Sequence, residues 1–439
     1  MNTSDLEVNI KIALSAPLRA GGLSMDGRNA LLAEMTDEVA GLVLRNNYQQ
    51  TLAISLAERR GLEDLGFQQR LMQTLEKRGD LDRTVEFLPD ELAIAERRKR
   101  NAALTRPELA VLLAYAKLSL YSELLDSRVL DDPYLGRELV RYFPKEMSKR
   151  YPDALHAHRL RREIIATQLT NSMINRGGAT VIVRIADQTG AASPAIASAF
   201  AAVRNSYDLI ELNSEIDALD NKISGKVQLD LYAAVQDLLL DRLVWFLRNV
   251  DLAQGLEKII GRYREAVSQL ESSLASVLSK SAARAWEARV AALVGAGVPA
   301  SLAQRIGSLP LLKAAPDIAL VADRAGKPIP EVAATYFATE AFFQLDRVTD
   351  AVSTITISDY FDRLALDRAL DSIGDAERCL TAAMVGNGRA GVDAVEEWVR
   401  PRHAEVERIR SAIHEIAGSG LTLSKLSVAA SLLGDLARH

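Results

Sequence analysis

Leu104-Thr105-Arg106-Pro107-Glu108-Leu109-Ala110-Val111-Leu112-Leu113-Ala114-Tyr115-Ala116-Lys117 reads as a helix start followed at once by its helix. Thr105 is placed to accept from the backbone N–H of Glu108, while the Glu108 side chain reaches back to Thr105, a reciprocal cap on the first turn. Pro107 falls in that first turn, where its missing N–H leaves no bond unmade. Leu109, Leu112, Leu113, Ala116 and Leu120 then recur at three- and four-residue spacing and define one buried stripe.

The same period runs through most of the chain. Leu31, Met35, Val39, Leu42 and Val43 share a face. Residues 153–174 read as another long helix, stopped by Gly177-Gly178, and residues 225–246 and 392–416 read the same way. Pro401 lies inside the last of these and predicts a kink or a break. Strand signals are scarce. Residues 179–184 are β-branched and could be extended, although Ile182, Ile185 and Ala186 also fit a helix ending at Gly190. With 5% aromatic residues and abundant alanine, close helix packing is favoured over a sheet. The expected fold is all-α, an irregular bundle or array of many helices with little or no β-sheet. No repeat of fixed period appears, which argues against a regular solenoid.

No low-complexity linker marks a boundary. Gly61 and the charged run up to Arg100 suggest a first division, and residues 249–255 a second. The chain is accordingly divided into 1–60, 61–250 and 251–439. Turns are expected at Ser308-Leu309-Pro310, Ala315-Pro316 and Lys327-Pro328.

At 439 residues the chain can bury two or three cores. Its 48% hydrophobic and 25% charged residues are ordinary for a globular protein, and a net charge of −5 gives no global attraction to nucleic acid or anionic membrane. Cys379 is the single cysteine, so no internal disulfide and no multi-thiolate metal site can form. No apolar run approaches a membrane span and no signal peptide is visible. A soluble cytoplasmic protein, with neither nucleic acid nor membrane as partner, is the expectation.

Several motifs invite chemistry. Gly386-Asn387-Gly388-Arg389-Ala390-Gly391 has the spacing of a dinucleotide-binding turn, but that turn needs a strand before it and another after its helix. Residues 375–385 read as helix instead, so the glycines are expected to form a helix–helix loop. His156, His158, His403, His414 and His439 lack the neighbours of a metal site and are expected at the surface. The basic stretch 141–163, with Arg141, Lys145, Lys149, Arg150, Arg159, Arg161 and Arg162, could hold a phosphate or an acidic partner. Solvated helix faces and ion pairs explain it as well, and the acids Asp208, Glu211, Glu215 and Asp217 could answer it within the fold. Arg97-Arg98-Lys99-Arg100 is a second basic run. Ser358-Asp359-Tyr360-Phe361-Asp362 reads as a capped helix start, with Ser358 as cap and Arg363 and Arg368 near the acids. Cys379 is expected to be a small buried side chain.

Longer stretches carry a family resemblance. Ser4-Asp5 with Glu7-Val8-Asn9-Ile10-Lys11-Ile12, then Arg28-Asn29-Ala30-Leu31-Leu32-Ala33-Glu34-Met35-Thr36-Asp37-Glu38-Val39, resemble the segment following the dinucleotide-binding domain of the large bacterial NAD-dependent glutamate dehydrogenases. Ala95-Glu96-Arg97-Arg98, residues 104–117, His158-Arg159-Leu160-Arg161-Arg162-Glu163-Ile164-Ile165-Ala166-Thr167 and Gly420-Leu421-Thr422-Leu423-Ser424-Lys425-Leu426 resemble the same family. The resemblance implies a C-terminal portion, with the catalytic lysine and the NAD-binding fold upstream. No catalytic, cofactor-binding or metal-binding residue is then expected here, no NAD is expected on this chain, and the chain alone should be inactive. Residues 1–60 would return to complete the catalytic region, and the later helices would hold subunits of a homo-oligomer together or transmit regulation. Ser4 matches the family's serine beside the glutamate side chain, but the Gly-Val turn that would support it is replaced by Met1-Asn2-Thr3, so Ser4 is expected to be disordered. The alternative is a free-standing all-α scaffold that binds an acidic partner through its basic segment.

Overall fold

The computed structural model describes residues 2–357, 359–385 and 388–438. Among them every regular element is helical and no strand occurs. No helix is long and apolar enough to cross a membrane. Contacts divide the chain into two units, Met1–Val203 with Leu239–Glu257, and Arg204–Leu238 with Lys258–His439.

In the first unit, the helix Arg161–Gly177 is the hub. It packs against Arg106–Leu125, Gly136–Tyr142 and Thr36–Arg60, burying Ile164, Ile165, Leu169, Met173 and Ile174. The helix Arg106–Leu125 begins as its sequence dictates. The Thr105 N–H donates to Glu108 Oε2 at 2.7 Å, completing the capping box. Glu108 also accepts two bonds from Arg97, each 2.7 Å. Burial alone would raise this carboxyl, but the Arg97 and Thr105 bonds outweigh it and hold it below its ordinary range.

Residues 153–174 are not one helix. Pro152–His156 ends, the chain turns, and Arg161–Gly177 begins afresh. The break is made by His158, whose side chain is buried and bonded to a distant residue. The ambiguous run 179–184 resolves as the helix Val181–Thr189, which buries Val181, Val183 and Ile185 and ends on Gly190 at φ 74°.

In the second unit, Lys280–Gly295 and Ala300–Leu312 form a helical hairpin. Gly307 lies so close to its neighbour that a Cβ would stand 2.7 Å from Val290 Cγ2. Beside it Trp286 Nε1 donates to Ser308 Oγ at 3.1 Å. The turn expected at Ser308-Leu309-Pro310 is therefore helix instead, with Pro310 in its last turn. The ring there removes one amide bond without stopping the helix, because Ser308 and Leu309 are already buried against their neighbours.

The second core surrounds the helix Tyr360–Val385. It packs along Leu423–Arg438 and against Ile329–Phe343, gathering Phe343, Ile373, Leu380, Met384, Trp398 and Leu433. Residues 225–246 lie within the helix Gly225–Asn249. At Pro401 the expected break is present: Val392–Val399 passes through a 3₁₀ turn, Arg400–Arg402, into His403–Gly418.

Candidate functional site

The site worth building begins at the first described residue. Asn2 caps the helix Thr3–Arg19, accepting from Asp5 N at 2.8 Å, while Asp5 reaches back to Asn2 N at 3.4 Å. Ser4 therefore stands exposed in the first turn of this helix.

Below Ser4 the helix buries Leu6, Ile10, Ala13 and Leu14. Asn9 anchors it sideways. Its Nδ2 donates to the Tyr142 hydroxyl at 2.8 Å and to the Asp5 carbonyl at 3.0 Å. Its own carbonyl lies 3.1 Å from His158 Nε2. Since Leu160 N donates to His158 Nδ1 at 3.1 Å, the imidazole is neutral with its proton on Nε2, donating to Asn9. Burial depresses the His158 pKa, aided by the charge of Arg159, and the Asn9 bond only partly offsets this. Desolvation likewise pushes the Tyr142 phenol up, with the Asp5 charge adding to it. His158 is thus a buried strut, not a surface histidine. His156, His403 and His414 are exposed as expected, and His439 lies outside the described residues.

Chemically, this arrangement offers two exposed hydroxyls, Thr3 and Ser4, in the first turn of a helix. The nearby Lys11 is paired with Glu7 at 2.6 Å. Ser4 can donate to or accept from a ligand, but the bonds described here supply no base to make it a nucleophile. No group of three or more metal-ligating side chains occurs among the described residues.

The other motifs resolve as follows. Gly388 and Gly391 take φ values of 74° and 64° in the loop between Tyr360–Val385 and Val392–Val399, and Gly391 N donates to Thr335 Oγ1 at 3.0 Å. Gly386 and Asn387 lie outside the described residues, but the flanking elements are helices, as expected for a helix–helix loop.

Within the basic stretch, Arg141 pairs with Glu138 at 2.9 Å, Lys149 with Glu146 at 2.8 Å, and Arg150 with Glu34 at 2.8 Å. Arg162 holds Asp131 and the carbonyls of Leu125 and Ser127. Of the acidic run, Asp208 meets Arg264 at 2.9 Å, Glu215 meets Arg305, and Asp217 accepts from Tyr232 at 2.5 Å. Each of these pairs closes inside its own unit. In the second basic run Arg97 is committed to Glu108, and Arg100 lies 3.9 Å from Glu96.

At residue 358 the expected serine cap lies outside the described residues. Asp359 instead accepts from Asp362 N at 2.9 Å, and Arg363 pairs with Asp367 at 3.2 Å. Cys379 is exposed, not buried. The apolar stripe of its helix passes through Ile373, Ala376, Leu380 and Met384 and leaves residue 379 outside. It lines a groove of about 660 Å³ against Leu423–Arg438, among Ala376, Ala430 and Gly434.

Sequence reading missed a buried acid, Glu377, and a half-buried one, Glu340. Glu377 sits on that same stripe, and Glu340 lies on the helix Ile329–Phe343 that packs against it. The signal was present: a glutamate four residues after Ile373 and seven before Met384 occupies a core position.

With the fold and this junction in view, the class is defined by residues 101–435, which match the family model "Glutamate dehydrogenase, C-terminal"; the chain belongs to that family. Residues 1–57 match the model "Bacterial NAD-glutamate dehydrogenase, catalytic domain". Among curated relatives, the NAD-specific glutamate dehydrogenases of Pseudomonas aeruginosa and Halomonas elongata are each 35% identical over the whole chain. The enzyme of that name from Mycobacterium tuberculosis is 32% identical, also over the whole chain. In each case the chain spans 27% of the relative's length.

Proposed function

We propose that this chain serves as the C-terminal helical region of a cytoplasmic NAD-dependent glutamate dehydrogenase, an enzyme that oxidatively deaminates L-glutamate to 2-oxoglutarate and ammonium. The observation that carries this reading is the junction at Asn9. One segment resembles a catalytic domain, the other a C-terminal helical domain, and His158 and Tyr142 of the second grip Asn9 of the first. The helical region acts as a platform for the last part of the catalytic domain. Its further roles are to hold subunits of a homo-oligomer together and to pass regulatory signals to that domain.

NAD supplies the hydride acceptor, and it binds with the catalytic lysine in the upstream part of the enzyme. What this chain contributes is Ser4, whose hydroxyl donates to the substrate carboxylate without bringing a competing charge. The support for that role is the residue's match to the family and its exposed position in the first turn of a helix.

The deciding experiment is the size of the native polypeptide in source-cell lysate, detected with an antibody against this chain. A band several times larger than 47.9 kDa that co-purifies with NAD-dependent glutamate oxidation supports the reading. A band near that mass, with no such activity, would instead mean a free-standing helical scaffold. Purified alone, the chain should neither bind NAD tightly nor turn over glutamate.

A further inference from the structure

Phe87 is 89% exposed, the most of any large apolar side chain among the described residues, and its backbone is left-handed at φ 55°. That conformation suits glycine and strains a residue with a bulky side chain. The loop that carries it is nonetheless fixed. It joins the helices Leu62–Arg78 and Glu91–Lys99, with Leu81 and Leu88 buried. Leu88 N donates to the Arg83 carbonyl at 2.9 Å across the left-handed residue, the closing bond of a Schellman-type turn. The buried Arg83 guanidinium donates to the Pro89 carbonyl at 3.2 Å, to Glu76 at 2.7 Å and to Glu91 at 2.9 Å. The Tyr115 hydroxyl donates to Glu86 at 2.6 Å. A rigid loop thus holds an aromatic ring in solvent, with Val85, 67% exposed, two residues before it. Neither the strain nor the exposed apolar surface is offset by packing, which is the mark of a side chain that acts on a partner.

We propose, building on the reading of this region as one that holds subunits together, that the Phe87 loop of one copy docks in the groove between Tyr360–Val385 and Leu423–Arg438 of a second copy. The shapes suit each other. The groove is lined by small side chains, among them Ala369, Ala376, Ala430 and Gly434. Its volume of about 660 Å³ falls in the range that takes a drug-sized molecule, so the Phe87 ring and Val85 enter together.

The charges suit each other as well. Asp80, Asp82 and Asp90 stand exposed on the Phe87 loop, and none has a cationic partner among the described residues. Asp82 and Asp90 are held in place by accepting from Thr84 N at 2.9 Å and Ala93 N at 2.8 Å. At the groove the sign is reversed. Asp375 is answered by Arg378 at 2.8 Å and Arg438 by Asp435, which leaves Arg368, exposed and without an ion pair among the described residues. An apolar projection ringed by acids therefore meets an apolar groove with an unanswered arginine at its rim.

The test is self-association of the full chain by sedimentation, with variants on both sides of the contact. Phe87→Gly suits the backbone at that position, and Gly434→Leu adds a side chain where a Cβ meets no atom within 4 Å. Neither should lower the melting temperature. Each should weaken association at least about tenfold, as expected when a buried aromatic anchor is lost or shut out. Arg368→Glu should weaken it too. A benzophenone analogue in place of Phe87, in a mixture of isotope-labelled and unlabelled chains, should cross-link to residues 365–379 or 427–438 of a different copy. That readout separates this contact from association through other exposed side chains. A wild type that stays monomeric at every concentration, variants that associate as it does, or a cross-link that falls elsewhere or within one chain would overturn the proposal. The size of the native polypeptide tests the parent reading separately, so failure of this contact and failure of that reading are told apart.

Discussion

At the scale of the residue, His158 does more than its spacing suggests. It joins segments 149 positions apart in sequence, and it does so only as a neutral ring. Replacing it with alanine leaves the Leu160 N–H without its acceptor and the Asn9 carbonyl with only its helical partner, beside a cavity, so His158→Ala should cost about 2–4 kcal/mol in urea unfolding. The pH dependence has a definite sign. The folded imidazole titrates below its ordinary 6.5, so its stabilising contribution is full above that value and is lost as pH falls. The alanine variant should lack this component of the acid-side decline. Ser4 makes a different prediction. In the complete enzyme, a hydroxyl that bonds the substrate carboxylate equally in ground and transition states affects KM and not kcat. Ser4→Ala should raise the KM for glutamate by about tenfold or more with kcat nearly unchanged, the value of one hydrogen bond to a charge. An unchanged KM would remove Ser4 from the site.

At the scale of the element, the hairpin Lys280–Gly295/Ala300–Leu312 depends on a missing side chain. A Cβ at position 307 would meet Val290 Cγ2 at 2.7 Å, so Gly307→Ala should destabilise the chain by about 1–3 kcal/mol, measured as a fall in the urea midpoint. How much was legible in the sequence follows the same division between local and distant causes. The start at Thr105–Glu108 was readable because cap, proline and stripe lie within one short stretch. The break at Pro401 was readable because a ring removes a donor wherever it sits. The break at residues 157–160 was not, since its cause is Asn9, far away in sequence. Residues 179–184 stayed ambiguous because β-branched runs suit both states, and burial of Val181, Val183 and Ile185 decides between them. Cys379 is exposed against expectation, and Glu377 is buried, for one reason. The 3.6-residue period places 377, and not 379, on the stripe, whatever the polarity of the side chains. The family was legible from long motifs, but the Asn9 junction needed the fold.

At the scale of the whole molecule, the N-terminal helices fold back on the helices that follow them, yet they do not cover themselves completely. Val8 is 54% exposed and Leu44 68% exposed, both within the segment that matches a catalytic domain. Isolated, the chain should bind a hydrophobic dye or self-associate through these helices, and Val8→Asp with Leu44→Asp should reduce both. Unchanged dye binding and mass would show that these exposed side chains are inert. The path of the chain through its two units has a separate consequence, for synthesis. The first unit takes residues up to Val203 and then needs Leu239–Glu257 to finish, with 204–238 belonging to the other. A ribosome must therefore make a segment of the second unit before the first can close. At about 5–20 residues per second, that imposes a wait of several seconds during which the hub helix Arg161–Gly177 has emerged without all of its unit. Slow codons between 204 and 257 would prolong that vulnerable interval, and chaperone capture should concentrate there.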